Sequence, residues 1–532
     1  MYEEAIDTLY RATWDYAYHS SAYLELARIS CLAGDFQKAL QQVNHSLSTN
    51  SKNNCAINLR ASLLRQLGDV KTANAIVSEV IESDPLDFRA RNEIYLLSLK
   101  EGESQEWEKK QSDLNRKMRG FARNYLELAV GYMNDGLFSE AEDVLRRFTG
   151  KDQIIQYYLG YIEDKKGNRS EARQYFQSAS DQDVDYGFPY RLETVKVLKL
   201  ASEYHSDDAK PHYYLGNLLY DKQPQNAIKN WEKAVEIDPS LAIAWRNLGW
   251  GYYHHGEDLS KSIAAYERAF ETKQDDPVYY AELDPLYEMN NTPIEKRARL
   301  FDGKNEIVKK RDDAFVREII VLNLAGESEK AVDYLNNSNF HFREGSSRVR
   351  DITVDAHLLL GRKYLNERKF QQALEQFMLT VDSSGDTVSE GVIVDPRGAQ
   401  IHYFIGLASE FLGDQTRATS NFTVATDHPQ KQEGYLAFYQ GQSFLKLGQE
   451  EEAEQCFNSL IEAGTRQIEQ GSEIDFFAKF GERETEMVQR SNAHMMIGLG
   501  YKGLGESKLA IDHLTKAVEL SASNLWATVE LD

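Results

Sequence analysis

Three small residues, Ala27, Gly34 and Ala39, return as Ala61, Gly68 and Ala73, each 34 residues later. A fixed return of small side chains at such a period marks stacked helical hairpins, because one hairpin buries its apolar face only against its neighbours. The first small residue lets the two helices approach, the glycine turns the chain, and the second small residue opens a hollow in the second helix. The register continues with Leu128-Ala129, Gly136 and Ala141, then with Leu159-Gly160, Gly167 and Ala172. It is clearest from Lys210 to Pro277, where Leu215-Gly216 and Leu248-Gly249 head two aligned repeats. Trp231 and Tyr266 are the bulky groups expected to fill between neighbouring units. Hollow residues mark eleven repeats: Ala39, Ala73, Ala141, Ala172, Ala227, Ser262, Ala331, Ala373, Ala418, Ala453 and Ala510. The expected fold is an all-α solenoid, a right-handed superhelix of helix-turn-helix repeats.

The quality of the register divides the chain. Residues 1–206 form an N-terminal array with a polar, degenerate unit near 86–118, and 207–277 hold the best-matching central pair. Residues 278–381 contain divergent helical units, and 382–532 form a C-terminal array broken by insertions at 382–398 and 464–490. The second insertion carries Phe476, Phe477 and Phe480. Insertions in repeat arrays tend to fall on one face, often the functional one. Met1 opens on a helical pattern with no polar cap before it, which suggests that the natural protein extends upstream.

Composition narrows the function. A chain of 532 residues exceeds one compact core, and 11% aromatic residues speak for an ordered protein. A net charge of -23 opposes binding to nucleic acid or anionic membranes, which need clustered Lys and Arg. Cys31, Cys55 and Cys456 lie too far apart for a zinc site or a disulfide framework, so a cytoplasmic location is expected. Neither a signal peptide nor eighteen consecutive apolar residues occur.

Catalytic motifs are absent. The string Gly498, Gly500, Gly503 has dinucleotide-loop spacing, but it lies inside a repeat helix with no strand before it. His212, His357, His402 and His494 share one repeat position, which packing produces and a convergent metal site does not. His255, His341 and Glu344 lack a visible third partner. No catalytic residue, metal ligand or cofactor is therefore expected.

Over nearly the whole chain the small-residue code resembles the tetratricopeptide-repeat (TPR) superfamily. The resemblance implies a non-enzymatic scaffold that binds a peptide or partner domain on its concave face. In that family the face is lined by the first helix of each unit, two residues before and after the Leu of the signature. Those positions here are Tyr157, Tyr161, Tyr213, Asn217, Arg246, Trp250, Arg362 and Tyr403, with Tyr220, Tyr253 and His254 further along. Rigid aromatics interspersed with Asn and Arg suit a binding surface. The family's clamp for a carboxy-terminal carboxylate fits only partly, because Asn217 and Asn247 fill two slots but Tyr213 stands where a Lys is needed. A narrower resemblance rests on LYRATWDYAY, YYLGNLLYD, WRNLGWGYYHH, YAELDPLYE and FHFREG. These segments are similar to the C-terminal TPR array of bacterial proteins with an N-terminal β-rich domain of unknown function. That likeness implies the alternative of a carbohydrate-active protein whose sugar site is shaped by Trp250, Tyr253 and His254.

Overall fold

The computed structural model of the chain describes residues 2–101, 104–185, 187–338, 347–382, 396–427, 434–470 and 485–531. His341, Glu344, most of the insertion at 382–398 and the three phenylalanines of the second insertion lie outside them. The described residues contain thirty helices and no strand. They form two compact units, Met1–Ala244 and Trp245–Asp532.

In the first unit hairpins follow one another as Tyr16–Leu32 with Phe36–Thr49, Asn54–Leu67 with Val70–Ser83, and Phe88–Glu101 with Ser104–Met118. Ala122–Asn134 with Phe138–Arg146 and Gln153–Lys165 with Arg169–Ser180 come next. The single helix Glu193–Tyr204 then leads to Lys210–Leu219 with Pro224–Ile237. The degenerate stretch near 86–118 is thus a hairpin like the others. In the second unit Pro277–Met289, Ile294–Phe301 and Asp312–Leu324 pack together, and Ser328–Asn336 follows. Four hairpins complete the series, beginning at Ser347–Asn366, Gly398–Phe411, Ala437–Lys446 and Glu486–Gly503. A last helix, Leu525–Leu531, ends the unit.

Local sequence explains each hairpin. Gly68 ends a first helix at φ 92°, the left-handed region where a side chain is strained, and Asp69 starts the next helix by accepting from the Thr72 N–H at 3.1 Å. Gly34-Asp35 and Gly413-Asp414 repeat this pair. All eleven hollow residues are buried, none more than 3% exposed. Glycines of the first helices form a matching notch. A Cβ on Gly216 would lie 2.2 Å from Trp231 Nε1, and one on Gly249 would lie 2.3 Å from Tyr266 Cδ2. Phe176, Phe377, Phe422 and Phe457 fill the notches of Gly160, Gly361, Gly406 and Gly441 in the same way. Trp231 and Tyr266, expected between neighbouring units, therefore lie in the notch of their own hairpin. Helices that meet at a glycine leave ring-sized space on the partner helix, and the ring sixteen or so residues on takes it.

The dinucleotide-like glycines serve packing too. Cβ atoms at Gly498, Gly500 and Gly503 would meet Leu514, Ile461 and Phe457 at 2.8, 2.6 and 2.2 Å. Among the described residues no helix is long and apolar enough to cross a membrane.

Adding a methyl group at Gly361 is expected to destabilise the protein by about 1–3 kcal/mol, since Phe377 Cε1 stands 2.2 Å from the new atom. A Gly361→Ala melt superimposable on that of the parent chain would refute this packing. Arg368 occupies, at φ 59°, a turn position that sister hairpins give to glycine. Arg368→Gly should raise stability by up to about 1 kcal/mol in thermal unfolding.

Candidate functional site: the first-helix faces

In each unit the first helices of successive hairpins form a common face, and polar residues gather on it. In the first unit Arg28 Nε donates to Asp135 Oδ1 at 3.2 Å, and Arg89 Nη2 donates to Asp135 Oδ2 at 3.0 Å. Arg89 also lies over the Tyr132 ring, 3.3 Å from its centroid, and donates to Ser62 Oγ. Ser62 and Tyr132 both donate to Glu93 Oε1 at 2.8 Å, while Arg65 bridges Glu93 and Glu140 at 2.6 and 2.8 Å. Burial would raise the Glu93 carboxyl, but the charge and hydrogen bond of Arg65 pull it below its ordinary value. Burial dominates for Tyr132 and pushes its hydroxyl well upward. Removing one member of such a buried pair strands the other and typically costs about 3–5 kcal/mol, so the network fixes the spacing of the first helices of four successive hairpins, Tyr16–Leu32 to Ala122–Asn134, and of Phe138–Arg146.

Beside this network lies a cavity of about 260 Å³, lined by Arg28, Asn58, Phe88, Arg89, Asn124 and Leu128 among others. Asn58 is 6% exposed, and its Nδ2 donates to Asp87 Oδ2 at 2.9 Å. Its Oδ1 is buried with no hydrogen-bond partner among the described residues, as is Arg89 Nε. Cys55 is exposed at the cavity wall, whereas Cys31 and Cys456 are buried.

The second unit uses its first-helix face differently. The last helix, Leu525–Leu531, lies across the first helices of four consecutive hairpins. Glu530, 6% exposed, pairs with Arg362, accepts from Lys502 Nζ at 2.9 Å and accepts from the Tyr439 hydroxyl at 3.0 Å. Burial opposes its charge, yet Arg362 and then Lys502 hold its carboxyl below the usual value. Trp526 Nε1 donates to Asp355 Oδ1 at 2.9 Å, and Arg397 sits 5.6 Å from the indole centroid.

The residues singled out from sequence fall into four groups. Tyr157, Tyr161 and Tyr213 are buried in repeat packing, and the Tyr157 hydroxyl donates to Asp208 Oδ2 at 3.2 Å. Asn217 accepts from Trp231 Nε1 at 3.0 Å, Tyr220 packs on the same indole, and Arg246 forms a two-pronged pair with Glu282. Trp250 and Tyr253 are exposed, at 45% and 38%, with exposed His254 4.0 Å from the Trp250 ring. Arg362 holds the last helix, and Tyr403 packs on Phe404 and Tyr439 beneath it. The first-unit cluster escaped notice, although the signal was present. Applied to the two opening repeats, the rule that selected Tyr213 and Asn217 selects Arg28, Asn58 and Ser62.

The four aligned histidines are accounted for by packing. Each reaches the second helix of its own hairpin: His212 to Asn230, His357 to Gln376, His402 to Asn421 and His494 to His513, with Nδ1 contacts of 3.4, 2.9, 2.8 and 3.0 Å. Three repeats thus offer an amide, and the fourth a second imidazole. Among the described residues no group of three or more His, Cys, Asp or Glu could hold a metal ion.

Helical hairpins with glycine notches and a shared first-helix face define an all-α repeat solenoid. Residues 435–463 and 491–524 match the tetratricopeptide repeat family. Solved structures that the chain matches include YrrB, a TPR protein with an unusual peptide-binding site, at 19% identity over 36% of this chain and 95% of that one, TM-score 0.27. A chain of the APC/C hetero-tetramer Cut9–Hcn1 matches at 14% identity over 96% and 95%, TM-score 0.27. Yeast Tom70 matches at 11% over 93% and 97%, TM-score 0.26. The narrower likeness to bacterial arrays behind a β-rich domain finds no support among these matches.

The His494–His513 contact carries a pH signature. Burial first, then the charge of His513, lowers the His494 value, and burial lowers that of His513. Groups whose folded-state value is depressed contribute stability above the unfolded value, about 6.5, and lose it as pH falls. The melting temperature of the parent chain should therefore fall from pH 7 to 5 more steeply than that of His513→Asn, which restores the amide of the sister repeats. Parallel pH profiles would refute the assignment.

Proposed function

We propose that the chain is a scaffold for protein–protein contacts and that the first-helix face of the first unit binds an extended peptide segment of a partner protein. The buried, unpartnered Asn58 Oδ1 at the wall of the cavity carries this reading. A buried acceptor without a donor is unfavourable by about 1–3 kcal/mol, and a peptide N–H is a donor that an extended segment supplies at regular spacing. Arg28 and Arg89 add cationic donors for peptide carbonyls, and Phe88 and Leu128 give an apolar floor for one side chain. None of these groups forms the nucleophile–base arrangement that catalysis requires, so the reading is of binding without chemistry. A second reading, a carbohydrate ligand stacked on Trp250 and Tyr253, draws on the exposure of both rings.

Selection from a displayed peptide library against the full chain tests the first reading. Selected peptides should protect the exposed Cys55 from alkylation, and Asn58→Ala should weaken them roughly tenfold, the equivalent of one lost charged or buried hydrogen bond. Peptides that bind equally well to Asn58→Ala, or a library that yields none, would overturn it. Saturable oligosaccharide binding lost in Trp250→Ala would select the second reading instead.

A further inference from the structure

We propose that the helix Leu525–Leu531 is a resident but exchangeable ligand of the second unit, and that the same face accepts a partner-protein helix bearing a large aromatic and a carboxylate one turn apart. The proposal shares with the previous section the view that first-helix faces bind protein segments. It concerns other repeats than those of Asn58, so either reading can fail alone.

Recognition here is built from four hairpins for one short helix. Asp355 and Arg362 come from Ser347–Asn366, and Arg397 immediately precedes Gly398–Phe411. Tyr439 comes from Ala437–Lys446, and Lys502 from Glu486–Gly503. Trp526 and Glu530 stand at i and i+4 and therefore project from one side of their helix. The indole N–H is taken by Asp355, and the carboxylate by Arg362, Lys502 and Tyr439. The face thus distinguishes an aromatic donor at one end from an anion at the other.

Two observations argue that the occupant can leave. A cavity of about 470 Å³ remains alongside it, lined by Tyr435, Met495, Met496, Leu525 and Trp526 among others, so the occupant does not fill its site. Finally, the residues just before it are fastened separately. Ala522 N–H donates to Asn291 Oδ1 at 2.6 Å, Arg297 Nη1 to Ser523 Oγ at 2.5 Å, and Asn524 Nδ2 to Ser491 Oγ at 2.9 Å. These contacts tie the connecting segment to the turn between Pro277–Met289 and Ile294–Phe301, to the helix Ile294–Phe301 and to the helix Glu486–Gly503. Release of the helix beyond Asn524 leaves them in place and breaks the Ala527 N–H bond to Asn524 Oδ1 and the Thr528 N–H and hydroxyl bonds to the Asn524 carbonyl.

The test uses the full chain and, as probe, a fluorescein-labelled peptide of sequence SASNLWATVELD, residues 521–532. In the variant carrying Trp526→Ala and Glu530→Lys the resident helix is disfavoured, and fluorescence anisotropy should show saturable binding at least roughly tenfold tighter than to the parent chain. Adding Arg362→Glu to that variant, or using a peptide with Glu530→Lys, should abolish it. In the unmodified chain, amide hydrogen exchange over 526–531 should proceed by local opening, faster than in the helix Gly398–Phe411. A folded released variant that fails to bind the peptide overturns the proposal. Equal protection of 526–531 and 398–411, or melting of the whole second unit in the released variant, also overturns it, because the helix would then be part of the core.

Discussion

The structure depends on a ring set into a glycine notch. Gly216 and Trp231, Gly361 and Phe377, or Gly441 and Phe457 meet at distances where no Cβ fits. Each pair fixes how close, and at what rotation, the two helices of a hairpin lie. Stacking then follows, since each hairpin presents the same apolar profile to the next and nearest-neighbour burial accumulates along the array. The hollow residues Ala39 through Ala510 serve the same contact from the other helix, which explains why their side chains are small and fully enclosed.

Once hairpins are locked, first helices become rails that carry polar side chains into fixed register. In the first unit this register brings Arg28, Arg65 and Arg89 against Asp135, Glu93 and Glu140 from helices up to 107 residues apart in sequence. In the second unit it brings Arg362, Tyr439 and Lys502 to one carboxylate. Both arrangements exploit the same physics. Charges buried on a rigid frame hold their partners strongly because the frame has already met the entropy of ordering them. One face leaves an acceptor at a cavity wall, and the other seats a helix from its own chain. The scaffold therefore combines two surfaces of different chemistry within one architecture.

Much of the fold was legible because its determinants are local. The turn glycines, the hollow alanines and the notch glycines act within one hairpin, so a period in the sequence reports them directly. The degenerate stretch 86–118 kept its hairpin despite losing the code, since amphipathic spacing and neighbours suffice to hold it. The candidate surface was legible only in part. Tyr157 and Tyr213 occupy positions that can face a ligand or the next helix, and their burial is set by how tightly adjacent repeats stack. Arg362 was singled out as a ligand-binding residue, and it does hold a segment, but one supplied by Glu530, 168 positions later.

By itself the sequence determined that the repeats are stacked helical hairpins, where most of them turn, and that the four aligned histidines occupy a packing position. Tertiary structure alone decided which polar residues meet, that Asn58 keeps a buried acceptor unpaired, and that the helix Leu525–Leu531 returns across four hairpins of its own unit. The reason is physical. Periodic small residues act over a few ångströms within one repeat, whereas those encounters depend on the accumulated rotation of several repeats, a quantity that no single stretch of sequence encodes.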